Sequence, residues 1–117
     1  MKFLSLEPFI PSGSNWEIAK EFFREIGFTV NWDAGDYVGF QRDDCRFILQ
    51  KYDAPEFAAN LMLSVKLSSI LEFQALLKEK DIAQRFGVKV GAIKQEAYGK
   101  EMNIIDTAGV CWHFVEQ

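Results

Sequence analysis

The hydrophobic positions along the chain change period several times, and each change marks an element. Ala19, Phe22, Phe23 and Ile26 recur at i, i+3, i+4 and i+7, with Glu17, Lys20, Glu21 and Arg24 off the stripe. That spacing predicts an amphipathic helix. Ser14-Asn15-Trp16-Glu17 reads as its capping box, and Gly27 stands where a left-handed residue ends a helix cheaply. A second stripe, Ile70, Phe73 and Leu77, follows a second box, Ser69-Ile70-Leu71-Glu72. A strand-like run precedes each helix, residues 3–10 and 61–67; in the latter, Leu61, Leu63, Val65 and Leu67 alternate with Met62, Ser64 and Lys66. Three strand-like runs follow each helix: 28–32, 37–41 and 45–52, then 88–98, 101–105 and 110–115. Turn residues separate them, as in Asp33-Ala34-Gly35-Asp36 and Asp106-Thr107-Ala108-Gly109.

The order is therefore βαβββ twice, joined at Asp53-Ala54-Pro55-Glu56. An α+β chain with this internal repeat covers one side of each mixed sheet with a helix and leaves the other open. The expectation is one domain over residues 1–117, with module one about 3–52 and module two about 60–117. Two open sheets together would form a cup, and a ligand would sit there.

Composition narrows the chemistry. Apolar residues make up 49% and charged residues 26%, which excludes a disordered chain. Thirteen Lys and Arg against 17 Asp and Glu give a net charge of −4, without the basic footprint that nucleic acid requires. No run is apolar enough to span a membrane, and the early Glu7 interrupts any signal peptide, so no membrane partner and a cytoplasmic setting are expected. Cys45 and Cys111 lie in apolar runs without CxxC spacing and read as reduced thiols. His113 is the one histidine, so a His-rich metal centre is excluded. Aromatic content is 15%, with Trp32 and Tyr37 flanking one turn and Tyr98 before another. Large rings are not needed for hairpins; around an open sheet they stack on planar groups and attract cations, or else cap a sheet edge or fill a dimer contact.

Two stretches carry a resemblance. Gly27-Phe28, Asn31-Trp32, Asp36-Tyr37, Gly39 and Arg42-Asp43-Asp44 form one; Ala97-Tyr98-Gly99-Lys100-Glu101 with Asp106, Ala108-Gly109, Cys111 and His113-Phe114-Val115 form the other. With the doubled βαβββ order they resemble the vicinal oxygen chelate superfamily of glyoxalases, extradiol dioxygenases and bleomycin-resistance proteins, and within it the bleomycin-binding branch. That resemblance implies a planar, cationic small-molecule ligand held by Trp32, Tyr37 and Tyr98. Asn31, Gln50, Ser64, Gly99 and His113 complete the implied ligand-binding set. Asn31 stands where the pattern has Asp, and Ser64 where drug-binding relatives carry an aromatic residue.

Alternation sorts the last strand into Cys111, His113 and Val115 on one face and Trp112 and Phe114 on the other, and the resemblance turns the His113 face to the cup. The same logic puts Arg46, Ile48, Gln50 and Tyr52 toward the cup and Phe47 and Leu49 toward the core, and in the strand before the second helix Met62, Ser64 and Lys66 toward the cup. The resemblance puts His113 at a metal-ligand position of related enzymes. Any divalent metal would fall to His113, Gln50 and Glu7, a thin donor set opposed by Lys66. The leading expectation is thus a non-enzymatic protein with no cofactor that sequesters a bleomycin-type antibiotic. A metal-dependent lyase, transferase or dioxygenase is the alternative, and a module whose cup is only a subunit contact is the third reading. Between Thr29 and Asn60, Asp33, Asp36, Asp43, Asp44, Asp53 and Glu56 outnumber Arg42, Arg46 and Lys51, an acidic rim that would steer a cationic drug. Apolar Met62, Ile48 and Val115 on the open sheets predict a homodimer, with ligand sites between subunits implied by the resemblance.

Overall fold

The computed structural model describes residues 1–117. The first half runs β1 (Phe9–Pro11), α1 (Trp16–Glu25), β2 (Thr29–Asp33), β3 (Tyr37–Arg42) and β4 (Cys45–Gln50). After α2 (Pro55–Asn60) the second half runs β5 (Met62–Leu67), α3 (Ile70–Glu79), α4 (Ile82–Phe86), β6 (Lys89–Val90), β7 (Lys94–Glu96), β8 (Gly99–Ile105) and β9 (Cys111–Glu116). The strands form two separate open sheets. Sheet A has the order β1-β4-β3-β2; sheet B has β5-β9-β8-β6, with β7 also pairing β8. The internal repeat shows in the pairing. In each sheet the strand before the helix runs parallel to the last strand, β1 on β4 and β5 on β9, and the other pairs are antiparallel.

The helices form where the stripes lie, but their ends differ in one case. Asn15, not Ser14, caps α1: its side-chain oxygen accepts from Ile18 N at 3.1 Å. Ser69 caps α3 as expected, accepting from Glu72 N at 3.2 Å. Gly27 takes φ +106° after α1. There a Cβ would run into the Arg42 guanidinium, which donates to Ile26 O at 2.6 Å and so satisfies a carbonyl at the helix end.

Three strand expectations change. The first strand is short: Phe9–Pro11 replaces 3–10, and Phe3, Leu4 and Leu6 stand exposed. Pro8 and Pro11 have no N–H to give a ladder. The run 88–98 splits into β6 and β7 around Gly91, Ala92 and Ile93. The joining segment is not all linker, since Pro55 starts the helix α2, fitting a residue whose fixed φ suits the first turn.

One core serves both halves. Phe23 on α1 meets Phe47 of β4 with ring centroids 4.7 Å apart and Trp112 of β9 at 5.4 Å, and Phe47 meets Trp112 at 5.3 Å. The α4 segment ties the halves together outside: Phe86 packs on Phe22 at 5.6 Å, and Arg85 and Lys80 pair with Glu25, each at 3.2 Å. These cations hold the Glu25 carboxyl below its usual range.

Candidate functional site

Because Phe47 and Trp112 touch, the sheets meet by their helix-facing sides, and alternation then turns both open faces outward. This corrects the expectation of one cup within the chain. The predicted site residues fall into two groups on opposite sides of the molecule.

Sheet A carries Asn31, Trp32, Tyr37 and Gln50. Register places Tyr37 opposite Gln50 and Gly39 opposite both Ile48 and Trp32. A bulge between Val30 and Trp32 inserts Asn31, and that extra residue brings Asn31 and Trp32 to the same face. Gly39 makes room: a Cβ there would overlap the Trp32 indole and the Asn31 carboxamide. Trp32 and Tyr37 are each 39% exposed. Tyr37 is braced by Phe9 edge-on at 5.9 Å and accepts from Gln50 Nε2 at 3.4 Å; Asn31 Nδ2 donates to Gln41 Oε1 at 3.2 Å. The result is a half-exposed aromatic pair beside two amides, which offers flat faces for stacking and groups that both donate and accept.

Charge around sheet A is uneven. Asp33 and Asp36 sit at the β2–β3 turn, where Lys51 N donates to Asp36 O at 2.8 Å, so Asp53 follows close by and Glu56 begins the next helix. Lys51 is the one cation of that stretch. Asp43 and Asp44 lie at the opposite end of the β3–β4 hairpin between Arg42 and Arg46, where the charges balance. Asp33 and Asp36 thus stand at the end of sheet A that carries Trp32 and Tyr37.

Sheet B carries Ser64, His113, Tyr98 and Gly99. Ser64, His113 and Asn103 form one row across β5, β9 and β8. His113 Nδ1 lies 3.2 Å from Glu101 Oε1, and Nε2 lies 3.4 Å from Cys111 Sγ. The Tyr98 hydroxyl donates to Glu101 Oε2 at 2.9 Å. That bond, with burial and the charges of Glu101 and Glu96, pushes the Tyr98 phenol up. Burial first, then the charges of Glu101 and Asp106, push the Cys111 thiol up. Gly99 takes φ +133°, and a Cβ would stand 2.8 Å from Glu116 O, so backbone packing alone explains a glycine there. Val115, expected to be exposed, is buried beside it, whereas Met62 is 67% exposed.

The predicted ligand-binding set omits Asn103 and also Glu101, which enters only as part of the resembling stretch. Asn103 Oδ1 is buried without a hydrogen-bond partner and shares the open face with His113. Alternation along β8, with Met102 and Ile104 in the core, was the signal that could have found both. The metal candidates are not gathered: Gln50 is on sheet A, His113 on sheet B, and Glu7 precedes β1, where it accepts from Ser5 Oγ at 2.6 Å. No group of three or more His, Cys, Asp or Glu is placed to hold a metal ion. Clefts of 420 and 460 Å³ lie elsewhere, and none of the predicted site residues lines either. No helix is long and apolar enough to cross a membrane.

No family model and no curated protein matches the sequence. Solved structures do match in shape. The bleomycin-binding protein of bleomycin-producing Streptomyces verticillus, complexed with copper(II)-bleomycin, aligns at TM-score 0.75 and 22% identity, covering 100% of this chain and 98% of that one. A bleomycin resistance determinant encoded on the transposon Tn5 aligns at TM-score 0.80 and 16% identity over 98% of each chain. The fosfomycin resistance protein FosX of Listeria monocytogenes aligns at TM-score 0.74 and 10% identity, over 98% of this chain and 91% of that one. These likenesses, spanning essentially the whole chain, establish that it has the open two-sheet fold seen in bleomycin-binding proteins and in FosX.

Proposed function

We propose that this protein sequesters a planar, cationic antibiotic of the bleomycin type, without turnover, in a pocket made when sheet A of one copy faces sheet B of another. The observation that carries the reading is the sheet A face itself. Trp32 and Tyr37 are half-exposed, a bulge and a glycine hold the indole on the open side, and Asp33 and Asp36 stand in the turn between them. Rings of this kind stack on heteroaromatic groups, and the acidic field steers a cation toward them. Neither main cleft of the chain lies on this face, which supports a second copy as its other wall. Phe3, Leu4 and Leu6, each at least 90% exposed ahead of β1, supply apolar surface for that contact. The shared fold with bleomycin-binding proteins adds support.

Trp32 is the one indole on an open face, since Trp112 is in the core and Trp16 begins α1. Titration with copper(II)-bleomycin should therefore change Trp fluorescence in the parent protein and much less in Trp32→Phe. No saturable change, and no rise in melting temperature with the drug, would refute the reading.

The likeness to FosX, a fosfomycin resistance protein, supports a second reading, an enzyme on the same fold, which the family resemblance makes a metal-dependent one. It needs two copies to bring Gln50 and His113 onto one ion. Elemental analysis of purified protein is expected to show no stoichiometric metal; a metal lost on His113→Ala would support the enzyme instead.

A further inference from the structure

We propose that Cys111, His113 and Glu101 form a proton relay that adds the Cys111 sulfur to an electron-poor carbon–carbon double bond, such as that of an α,β-unsaturated carbonyl, in a ligand seated on sheet B. The proposal goes beyond sequestration by stacking and rests on the reading of sheet B as a ligand-facing surface. Glu101 lies 3.2 Å from His113 Nδ1, and a carboxylate can only accept, so the proton sits on Nδ1 and the Nε2 lone pair faces Cys111 Sγ at 3.4 Å. Tyr98 OH donates to the other Glu101 oxygen at 2.9 Å and holds the carboxylate in place. Nucleophile, base and orienting group thus stand in sequence on neighbouring strands, the arrangement that activates a thiol.

The surroundings select the reaction. Burial and the nearby Glu101 and Asp106 charges keep the resting thiol protonated, so attack needs the imidazole, and a thiolate of raised pKa is the stronger nucleophile once formed. Cys111 N is committed to Leu61 O at 3.2 Å and the residue is paired with Ile105 in the sheet, so no pair of free N–H groups waits beside Sγ for an oxyanion. Acyl transfer would leave a tetrahedral oxyanion without its pair of donors, whereas in addition the charge spreads over the enolate and is quenched by the returning proton. In that step the thiol gives its proton to His113 Nε2 and an S–C bond forms. The π pair moves to the neighbouring carbon, which takes the proton back from Nε2–H. One S–H and one π bond are spent, one S–C and one C–H bond are made, and there is no leaving group, oxidant or water.

Cys45 is the internal control, a half-buried thiol in a chain whose one imidazole is bonded to Cys111. The folded protein is treated with N-ethylmaleimide, which carries the required double bond, and adduct formation at each cysteine is followed by peptide mass spectrometry. Cys111 is expected to react at least about tenfold faster than Cys45. His113→Ala, and His113→Gln should the first variant fail to fold, is expected to slow Cys111 about 100-fold, the low end for general-base assistance, with Cys45 unchanged. Glu101 acts as a positioning residue, so Glu101→Ala, which leaves Nδ1–H without its acceptor, should also weaken the preference for the Nδ1–H tautomer seen by nitrogen NMR of His113. Equal rates at the two cysteines, or a Cys111 rate indifferent to both His113 variants, would overturn the proposal. Copper(II)-bleomycin titration is run separately; its failure bears on sequestration and leaves the thiol measurement standing.

Discussion

Two tryptophans of this chain should respond oppositely to truncation. Trp112 is 4% exposed, packs on Phe23 at 5.4 Å and Phe47 at 5.3 Å, and donates from Nε1 to Asp106 Oδ2 at 2.8 Å. Trp112→Ala removes a packed ring, which costs about 3–5 kcal/mol, and strips one donor from a buried carboxylate, a loss on the order of 1–3 kcal/mol more. For a chain of this size 1 kcal/mol moves the melting temperature by about 4 °C, so a fall of about 16–32 °C or outright failure to fold is expected. Trp32, 39% exposed on the open side of sheet A, has far less to lose. Trp32→Ala should shift melting by less than about 4 °C, while the lost stacking, about 0.5–1.5 kcal/mol beyond area, weakens copper(II)-bleomycin binding by up to roughly tenfold. Differential scanning fluorimetry and calorimetric titration on the two variants decide the matter. If Trp32→Ala melts as early as Trp112→Ala, the indole is part of the core and the binding face is misassigned; if it alters neither stability nor affinity, the ligand sits elsewhere.

Gly39→Val should push the Trp32 indole and Asn31 carboxamide aside, so drug affinity is expected to fall at least as far as in Trp32→Ala while far-UV circular dichroism stays unchanged. Asp106 is held above its ordinary value of 3.8 chiefly by burial, against hydrogen bonds from Trp112, Ala108, Val110 and Gly109 that lower it. Its folded form thus binds a proton more tightly than the unfolded chain, and the stability from that proton is complete below the unfolded pKa and lost as pH rises through the folded one. The melting-temperature difference between the parent and Asp106→Asn should accordingly shrink from pH 3.5 to pH 7, and a difference that grows would mean the hydrogen bonds outweigh burial. Sedimentation at micromolar protein should give a dimer mass, and deleting residues 1–7 should weaken it; a monomer in the parent protein would leave the sheet A face without its second wall.

What could be read from the sequence divides along physical lines. The stripe Ala19, Phe22, Phe23 and Ile26 and the alternation through Phe47, Leu49, Trp112 and Phe114 are local periodicities, and all of these residues are buried as expected. Asn15 in place of Ser14 is a choice between adjacent residues that can both cap, decided by where the chain enters the helix. How the sheets pack is different in kind. Alternation separates Gln50 from Leu49 and His113 from Trp112, but it is equally satisfied whether the open faces meet or turn apart; contact between Phe47 and Trp112 across the core decides it.

The Cys111–His113–Glu101 cluster shows the same limit at closer range. Cys111 and His113 share a face by alternation, yet nothing in their spacing brings Glu101 to the imidazole. That contact depends on the β8–β9 register, which sets Asn103 opposite His113 and Ile105 opposite Cys111. The register in turn depends on the turn between them, where Asp106 Oδ1 accepts from Ala108, Gly109 and Val110 N at 2.9 to 3.1 Å and Oδ2 from Trp112. A strand slipped by one residue would carry His113 into the core and Trp112 onto the open face. Trp112 opposes that slip twice, through its packing and through its bond to Asp106, so the residue that holds the core is also the one that keeps the imidazole turned outward.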